Sequence, residues 1–190
     1  YPKLRYHMTR LIKTTEEIKS ILSHSSQSEK PVGLVPTMGA LHAGHISLIK
    51  AARQECKTVV VYIFVNLLQF GPNEDFKKYP RDLDNDLKVC QANNVDILFA
   101  PDESEIYPSE KSKKDIIHPP KELISILCGK TRAGHFEGVA TVVNKFFKII
   151  EPDYAYFGEK DLQQIYVIRW LVKEFNLNIQ IRSCPIVREQ

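Results

Sequence analysis

The chain has 190 residues, of which 43% are hydrophobic, and a formal net charge of +3. This length suffices for one domain with a full hydrophobic core. Positive and negative residues are mixed without a basic stripe, which argues against nucleic acid as the main partner. The longest apolar stretches, such as residues 59–65, are far too short to cross a bilayer, so we expect no membrane partner.

Periodicity and capping signals predict helices that alternate with strands. The predicted strands cover residues 32–36, 58–65, 96–100, 153–157 and 178–184. The predicted helices begin with a capping box at residues 14–17 and continue at residues 46 to about 56, 82–93, 121–128, 137–150 and 160–175. Residues 101–120, rich in charge and proline, are predicted to be a surface excursion. This order predicts an α/β fold, a Rossmann-like doubly wound parallel sheet flanked by helices.

The four cysteines indicate a reducing compartment. They are widely separated, form no C-x-x-C pair and lie at Cys56, Cys90, Cys128 and Cys184. That spacing is neither a disulfide framework nor a zinc knuckle, and we therefore expect a cytoplasmic protein.

The sequence PTMGALHAGH, residues 36–45, follows the first long apolar strand and leads into a helix. Free backbone N–H groups and the positive end of the helix dipole suit an anionic ligand at such a turn. Gly39 and Gly44 have the spacing of a Walker A loop, but His45 and Ile46 stand where that motif needs Lys and then Ser or Thr. No G-x-G-x-x-G is present, so neither a kinase-like phosphate loop nor an NAD fingerprint is supported.

Two histidines of this turn, His42 and His45, are three residues apart and can share one face of the helix start. Their imidazoles suit phosphate oxygens on which charge develops as pyrophosphate leaves. Two other interpretations stay open: a helix-capping turn with surface histidines, and a zinc site for which His135 is the only obvious distant ligand. Because the zinc interpretation needs a further ligand, we predict no metal held by side chains of this chain.

Residues 36–45 closely resemble the signature of the pantothenate synthetase (pantoate–β-alanine ligase) family. The H-x-G-H element alone is shared with class I aminoacyl-tRNA synthetases and nucleotidylyltransferases. More specific blocks follow in the family's order over nearly the whole chain. They are IFVN at 63–66, QFGPNED at 69–75, YPR at 79–81, GHFEGV at 134–139 and FGEKDLQQ at 157–164.

The resemblance implies a two-step ligation. ATP and pantoate first give an enzyme-bound pantoyl adenylate and pyrophosphate, with Mg²⁺, and the amine of β-alanine then displaces AMP to give pantothenate. Such chemistry depends on positioning and charge stabilisation. The implied partners are these small molecules and a second copy of the chain in a homodimer.

The resemblance also implies residue roles. His45 is the acid–base residue, and His42 and Lys160 act with it at the phosphates. The implied ATP-binding residues are Met38, Gly39, Ala40, Leu41, His42, Ala43, Gly44, His45, Gly158, Glu159, Lys160, Asp161 and Val187.

Amide side chains are the implied contacts to pantoate and β-alanine, because an amide offers both a donor and an acceptor. They belong to Gln69, Gln164 and Asn66, with Arg132 and His135 as further candidates. Simple surface polarity is the alternative explanation for the glutamines. Asp161 is predicted to cap the helix that it precedes.

The sequence departs from the family pattern at two places. Leu67 stands where the family usually has Pro, which predicts a less rigid loop before Gln69. After Gln190 the family continues with a D-G-L-A-x-S-S-R-N segment and a smaller C-terminal domain. We therefore expect residues 8–190 to be a nucleotide-binding (adenylating) domain without the C-terminal domain, weakly active or inactive by itself. Residues 1–7 precede Met8, a plausible native start, and are expected to be a non-native extension.

Two alternative functions remain open at this stage. One is a nucleotidylyltransferase that acts on a phosphate acceptor, and the other is a non-catalytic nucleotide-binding module. Residues 117–120 and 183–189 also resemble cyanobacterial members of the family, in which a cytidylate kinase can be fused to the ligase.

Overall fold

The computed structural model describes residues 8–24, 29–71, 74, 76–125, 129–130 and 132–187. The strands are β1 (Arg10–Ile12), β2 (Val32–Thr37), β3 (Thr58–Ile63), β4 (Ile97–Phe99), β5 (Tyr154–Gly158) and β6 (Gln180–Cys184). The helices are α1 (Thr15–Ser23), α2 (Ala43–Glu55), α3 (Leu83–Ala92), α4 (Glu103–Ile106), α5 (Glu110–Lys114), α6 (Lys121–Ile124), α7 (His135–Ile150) and α8 (Leu162–Glu174). Short 3₁₀ turns lie at Leu67–Gln69, Phe76–Lys78 and Glu159–Asp161.

The six strands form one parallel sheet in the order β1-β4-β3-β2-β5-β6. From β2 the chain proceeds to β3 and β4 on one side, whereas β5 and β6 lie on the other side. The strand order therefore reverses between β2 and β5, and ligands of open α/β sheets bind outside the carboxyl ends of the strands at such a point. The predicted Rossmann-like doubly wound sheet is confirmed.

Hydrophobic residues cover both faces of the sheet, because successive strand residues point to opposite sides. On one face Leu34 and Val60 pack in a buried cluster with α1, α7 and α8. On the other face Val35 and Val61 pack with α2 and α3. Among the described residues, no helix is long and apolar enough to cross a membrane.

The sequence prediction missed β1, a three-residue edge strand that pairs with β4. Three residues are too few for an alternating pattern to be recognised. The prediction of a surface excursion at residues 101–120 is also wrong in part. This segment forms α4 and α5, and its Ile106 and Tyr107 side chains are buried in the core.

The ends of the remaining elements differ from the prediction by a few residues. Helix α7 begins two residues earlier than predicted, after Gly134, whose φ of +79° starts the helix from a left-handed residue. Thr14 caps α1 by accepting a hydrogen bond from the Glu17 N–H. Of the predicted helix at 121–128, residues 121–124 are helical and residues 126–128 lie outside the described part, as do residues 1–7.

Candidate functional site at the carboxyl edge of the sheet

The turn between β2 and α2 reverses the chain with two successive left-handed residues. Gly39 has φ +87° and Ala40 has φ +51°. Glycine adopts this conformation freely, whereas an L-residue such as Ala40 does so at a steric cost. His42 then begins α2 as its N-cap residue. The structure therefore holds both histidines at the helix start that the sequence predicts.

The N–H groups of this turn are bonded inside the protein. The Gly39 N–H donates to Thr37 Oγ1, and those of Ala40 and Leu41 donate to Asp86 Oδ2 and Oδ1. The His42 N–H donates to His45 Nδ1, and the Gly44 N–H donates to His42 Nδ1. The expectation of free N–H groups is wrong for these five. An anion at this turn would therefore meet the imidazoles and the dipole of α2 before it met free amides.

The two histidine rings lie together, with their centroids 4.2 Å apart. In each ring Nδ1 accepts a backbone hydrogen bond, so the neutral tautomer carries its proton on Nε2 as a donor. Burial, together with smaller contributions from the nearby His42 and Lys160, lowers the pKa of His45 to about 4. At neutral pH His45 is thus an uncharged hydrogen-bond donor.

A cavity of about 260 Å³, here called the histidine cavity, opens between the turn after β2 and the turn after β5. It is lined by Pro36, His42, Gly44, His45, Ser47, Leu48, Tyr156, Phe157, Gly158, Lys160, Gln164, Pro185, Ile186 and Val187. Five of the residues predicted for ATP, including Lys160 and Val187, thereby join His45 around one space. The imidazoles and the Lys160 ammonium make it suitable for phosphate.

A second cavity of about 190 Å³, here called the glutamine cavity, lies against α7. It is lined by Pro36, Thr37, Met38, His45, Tyr62, Phe64, Gln69, Tyr79, Val139, Val142, Val143, Phe157 and Gln164. Its apolar residues lie beside six residues that carry polar groups, which are Thr37, His45, Tyr62, Gln69, Tyr79 and Gln164. Such a space suits a small branched acid whose hydroxyl and carboxylate groups need a few placed partners.

The two cavities share four residues, which are Pro36, His45, Phe157 and Gln164. Ligands in the two cavities would therefore both be adjacent to these four residues. Asp161 begins α8 as its N-cap and accepts from the Gln164 N–H at 3.2 Å, as predicted for a helix cap. This cap fixes the start of the helix from which Gln164 projects.

Gln69 is oriented by partners behind the cavity. Its amide nitrogen donates to Met38 Sδ at 3.1 Å, and its Oε1 accepts from the Asn66 amide at 3.4 Å. Asn66 is fully buried, donates to the Gly138 carbonyl and accepts from the Tyr107 hydroxyl. Asn66 does not line the glutamine cavity, in contrast to its predicted contact with substrate, and instead supports Gln69.

Arg132 and His135 hold the segment that follows Gln69 against the start of α7. Arg132 donates to both carboxylate oxygens of Glu74, and its Nη1 donates to His135 Nε2. His135 Nδ1 donates to the Gln69 carbonyl at 2.9 Å. Burial lowers the pKa of His135, consistent with this neutral, fully bonded ring. Both predicted residues are therefore near the site through Gln69 and Glu74.

Six predicted ATP-binding residues line neither cavity: Gly39, Ala40, Leu41, Ala43, Glu159 and Asp161. They form the two turns that place their neighbours. The sequence prediction in turn missed most of the apolar lining. Val139, Val142 and Val143 have the spacing of a core-facing helix stripe, and nothing in that pattern separates a core position from a cavity position.

No group of three or more His, Cys, Asp or Glu residues within the described ranges is arranged to hold a metal ion. His42, His45 and His135, the residues of the zinc interpretation, have the separate hydrogen-bond partners given above.

A parallel strand, a turn with paired imidazoles and a helix N-terminus lie at the switch point of the sheet, and Lys160 faces them from the turn after the neighbouring strand β5. This fold and site define an α/β domain with an H-x-G-H turn at its switch point, a place that suits a phosphate-bearing ligand.

The comparisons with known proteins give the particular family. A family model described as pantoate-beta-alanine ligase matches residues 10–190. The chain is 49% identical over 181 residues to the pantothenate synthetase of Acetivibrio thermocellus, covering 95% of this chain and 63% of the relative. It is 54% identical over 158 residues to a bifunctional pantoate ligase/cytidylate kinase of Thermosynechococcus vestitus, covering 83% of this chain and 31% of the relative. The chain belongs to the pantoate–β-alanine ligase family.

Solved structures agree with this membership. The pantoate-beta-alanine ligase of Francisella tularensis, complexed with beta-gamma ATP and beta-alanine, superposes with a TM-score of 0.90 at 44% identity, covering 95% of this chain and 68% of that chain. Pantothenate synthetase from Thermus thermophilus gives a TM-score of 0.89 at 42% identity, covering 95% and 63%. The chain thus spans between 31% and 63% of the length of the two curated relatives named above.

Proposed function

We propose that this chain carries the ATP site and the pantoate site of an ATP-dependent ligase that condenses pantoate with β-alanine through a pantoyl adenylate. The observation that supports this proposal most directly is the junction of the two cavities at His45 and Gln164. A nucleotide in the histidine cavity and an acid in the glutamine cavity would have their reacting groups side by side. Such proximity is the main requirement of an adenylation.

In the first step a pantoate carboxylate oxygen attacks the α-phosphorus, and the bond to the bridging oxygen of pyrophosphate breaks. Negative charge accumulates on the leaving pyrophosphate and on the equatorial phosphate oxygens. The Nε2–H groups of His42 and His45 and the Lys160 ammonium are the donors available there, at the positive end of α2. In the protein without a bound ligand, the pKa of His45 is lowered to about 4, so its ring is neutral at pH 7 and acts as a hydrogen-bond donor.

In the second step the β-alanine nitrogen attacks the acyl carbon, the carbon–oxygen bond to AMP breaks, and the nitrogen gives up a proton to the departing phosphate oxygen of AMP. Gln69 and Gln164 hold the pantoyl group during both steps, because their amides can pair with its hydroxyl and carbonyl oxygens. The apolar residues around them exclude water, which would otherwise hydrolyse the adenylate.

Magnesium belongs to this proposal as a companion of ATP. Mg²⁺ keeps several waters and binds substrate phosphates with one or two carboxylates, so it needs no cage of protein ligands. Asp161 is used as a helix cap, and the described residues around the histidine cavity supply no cluster of carboxylates. The ion would therefore enter on the nucleotide phosphates and neutralise part of their charge.

We further propose that residues 8–190 form one adenylating domain, that the protein is cytoplasmic and that it forms a homodimer. One continuous sheet with two covered faces supports the single domain. Cys56, Cys90 and Cys184 are free thiols, which suits a reducing compartment. Family membership supports the dimer, and sedimentation equilibrium measures it: a mass of one chain would contradict it.

The test is pantoate-dependent release of pyrophosphate from ATP by the full-length protein. His45→Ala and Lys160→Ala should each lower this rate by about 100-fold, the usual effect of removing one donor to a developing anion. His118→Ala and Lys173→Ala, at exposed positions away from the cavities, are the matched controls. Unchanged rates in the first pair would contradict the assignment of the phosphate site.

The same assay separates the alternatives. Pyrophosphate release that depends on phosphopantetheine in place of pantoate would favour a nucleotidylyltransferase. ATP binding in calorimetry without release of pyrophosphate by the full-length protein would favour a non-catalytic module. For the 190-residue chain assayed by itself we expect ATP binding and little turnover, because the chain spans 63% of the length of the Acetivibrio thermocellus relative.

A further inference from the structure

Asp86 is a buried carboxylate in the middle of α3, with only 1% of its surface exposed. It lies three residues after Leu83 and four before Cys90, and thus on the core-facing side of an otherwise amphipathic helix. An ionisable side chain at such a position needs strong partners, because burying it without them is unfavourable.

Both partners of Asp86 are backbone N–H groups of the turn after β2. Oδ2 accepts from Ala40 at 3.0 Å, and Oδ1 accepts from Leu41 at 2.7 Å. Hydrogen bonds to an ionised acceptor are stronger than neutral ones. Asp86 also lies directly beside Gly39, where an added Cβ would be 3.0 Å from Oδ2.

The residues that Asp86 holds are the ones with unfavourable backbone conformations. Ala40 is left-handed at φ +51°, and it follows a left-handed Gly39. An L-residue keeps that conformation only where its surroundings impose it. The next residue after Leu41 is His42, the N-cap of α2, so the position of the turn determines where both imidazoles lie.

The geometry points to Asp86 as a positioning residue for the ATP half-site: its carboxylate fixes the left-handed turn that places His42 and His45 beside Lys160. Asp86 is assigned no contact with the nucleotide, because both of its oxygens are used by the turn and it lines neither the histidine nor the glutamine cavity. It borders a different cavity, of about 260 Å³, on the far side of Met38 and Gly39, where only 1% of its surface is exposed. This inference rests on the proposed function for its kinetic readout.

The decisive variant is Asp86→Asn in the full-length protein, assayed by pantoate-dependent pyrophosphate release. An amide has one acceptor oxygen and presents N–H groups to the second backbone donor, so the turn loses one bond and gains a clash of donors. We expect kcat/KM for ATP to fall by at least about tenfold, since a small misplacement of catalytic groups has effects of this size or greater. The KM for pantoate should change by a smaller factor than kcat/KM for ATP, because most of the glutamine cavity, including Gln164 and three valines of α7, lies outside the turn.

Two controls lie on the same helix. Asp84→Asn removes the same charge from an exposed position. Asp82→Ala removes the N-cap acceptor of Asn85 and therefore lowers stability without touching the turn. Both should leave kcat/KM for ATP within about twofold of the parent when assayed well below their melting temperatures. An Asp86→Asn protein that is less stable but kinetically normal would overturn the proposal.

A rescue variant tests the coupling through kcat/KM for ATP, in a comparison that a general loss of stability would not change. Ala40→Gly removes the steric cost of the left-handed turn, so it should raise kcat/KM for ATP by at least about threefold in the Asp86→Asn background and by less in the parent. Equal effects in both backgrounds would contradict the proposed coupling.

Should Asp86→Asn fail to fold, amide hydrogen exchange of the parent supplies the test. The Ala40 and Leu41 amides should exchange at least about 100-fold more slowly than an unbonded turn amide, and exchange at the unprotected rate would refute the contact. A parent protein that releases no pyrophosphate but keeps these amides protected would contradict the proposed function and leave the turn geometry intact.

Discussion

Replacing Gly138 in α7 with alanine adds a single methyl group and should weaken pantoate binding much more than it lowers the free energy of unfolding. A Cβ there would lie 2.3 Å from the Leu68 carbonyl oxygen and 2.6 Å from the Gln69 nitrogen. The Gly138 carbonyl also accepts the Asn66 amide that orients Gln69. The glycine thus lets the 3₁₀ turn at Leu67–Gln69 rest directly on the helix backbone.

The size of the effect of Gly138→Ala follows from two opposing contributions. Alanine in a helix interior is about 1 kcal/mol more favourable than glycine. Overpacking against backbone costs about 1–3 kcal/mol. We therefore expect a net loss of about 0–2 kcal/mol in the free energy of unfolding. To reach a normal contact distance the turn must move by about 1 Å, and a displacement of that size in a positioning group lowers rates or affinities by about 10- to 100-fold.

The assay is calorimetric titration of the full-length protein with pantoate, together with urea unfolding of the same sample. Pantoate should bind at least about tenfold more weakly to Gly138→Ala, whereas ATP affinity should change by less than about threefold, because the histidine cavity does not include this turn. Glu137→Ala, one residue earlier on α7, is the control and should leave both affinities unchanged. Normal pantoate affinity in Gly138→Ala would refute the claim that the turn and Gln69 are held by contact with the helix.

Three further predictions concern stability. The pKa of His45 is lowered to about 4, mainly by burial, so the unfolded chain binds the proton first as pH falls. Relative to His45→Gln, the free energy of unfolding of the parent should therefore fall by about 2.5 kcal/mol between about pH 7.5 and about pH 4.5. Parallel pH profiles of the two proteins in urea unfolding would contradict this. Leu67→Pro should be neutral or stabilising by up to about 1 kcal/mol, because Leu67 is half exposed and Asn66 before it is already extended at ψ 113°. A lower melting temperature would show that the Leu67 N–H is needed. Gly33→Ala should lower the free energy of unfolding by about 1–3 kcal/mol, because its Cβ would lie 2.6 Å from Cys56 Sγ. Adding Cys56→Ala to the same protein should recover part of that loss in urea unfolding, whereas additive losses would exclude the contact.

The sequence was sufficient to predict five of the six strands and the two turns at the edge of the sheet, because both depend on local signals. The strands at Val32–Thr37 and Thr58–Ile63 are continuous apolar runs, and glycine and histidine mark the turn that follows the first of them. Lys160 and Asp161 follow the strand at Tyr154–Gly158, and the rule that parallel strands end at one edge was enough to bring them opposite the histidines.

What could not be predicted depends on tertiary contact. Asn66 is placed behind Gln69 because Tyr107 and Gly138, distant in sequence, supply its partners. The cavity-lining valines of α7 are indistinguishable from core valines in a helical pattern. Asp86 did leave a signal, a carboxylate on the apolar side of a predicted helix, but its partners were not recoverable from spacing because they belong to a turn 45 and 46 residues away.

The arrangement of the site follows from the neighbouring strands β3, β2 and β5, each of which ends in one part of it. The chain after β2 supplies Met38 and His45, the turn after β3 supplies Gln69, and the chain after β5 supplies Lys160 and Gln164. Because the crossover connections from β2 and β5 leave the sheet in opposite directions, a cleft opens between them, and under the proposed function it would take the nucleotide. The acid would lie on the other side of His45, against α7. Strand order would thus bring a carboxylate and a phosphate to one histidine, while side chains such as Asp86 position the turn, supply donors and exclude water.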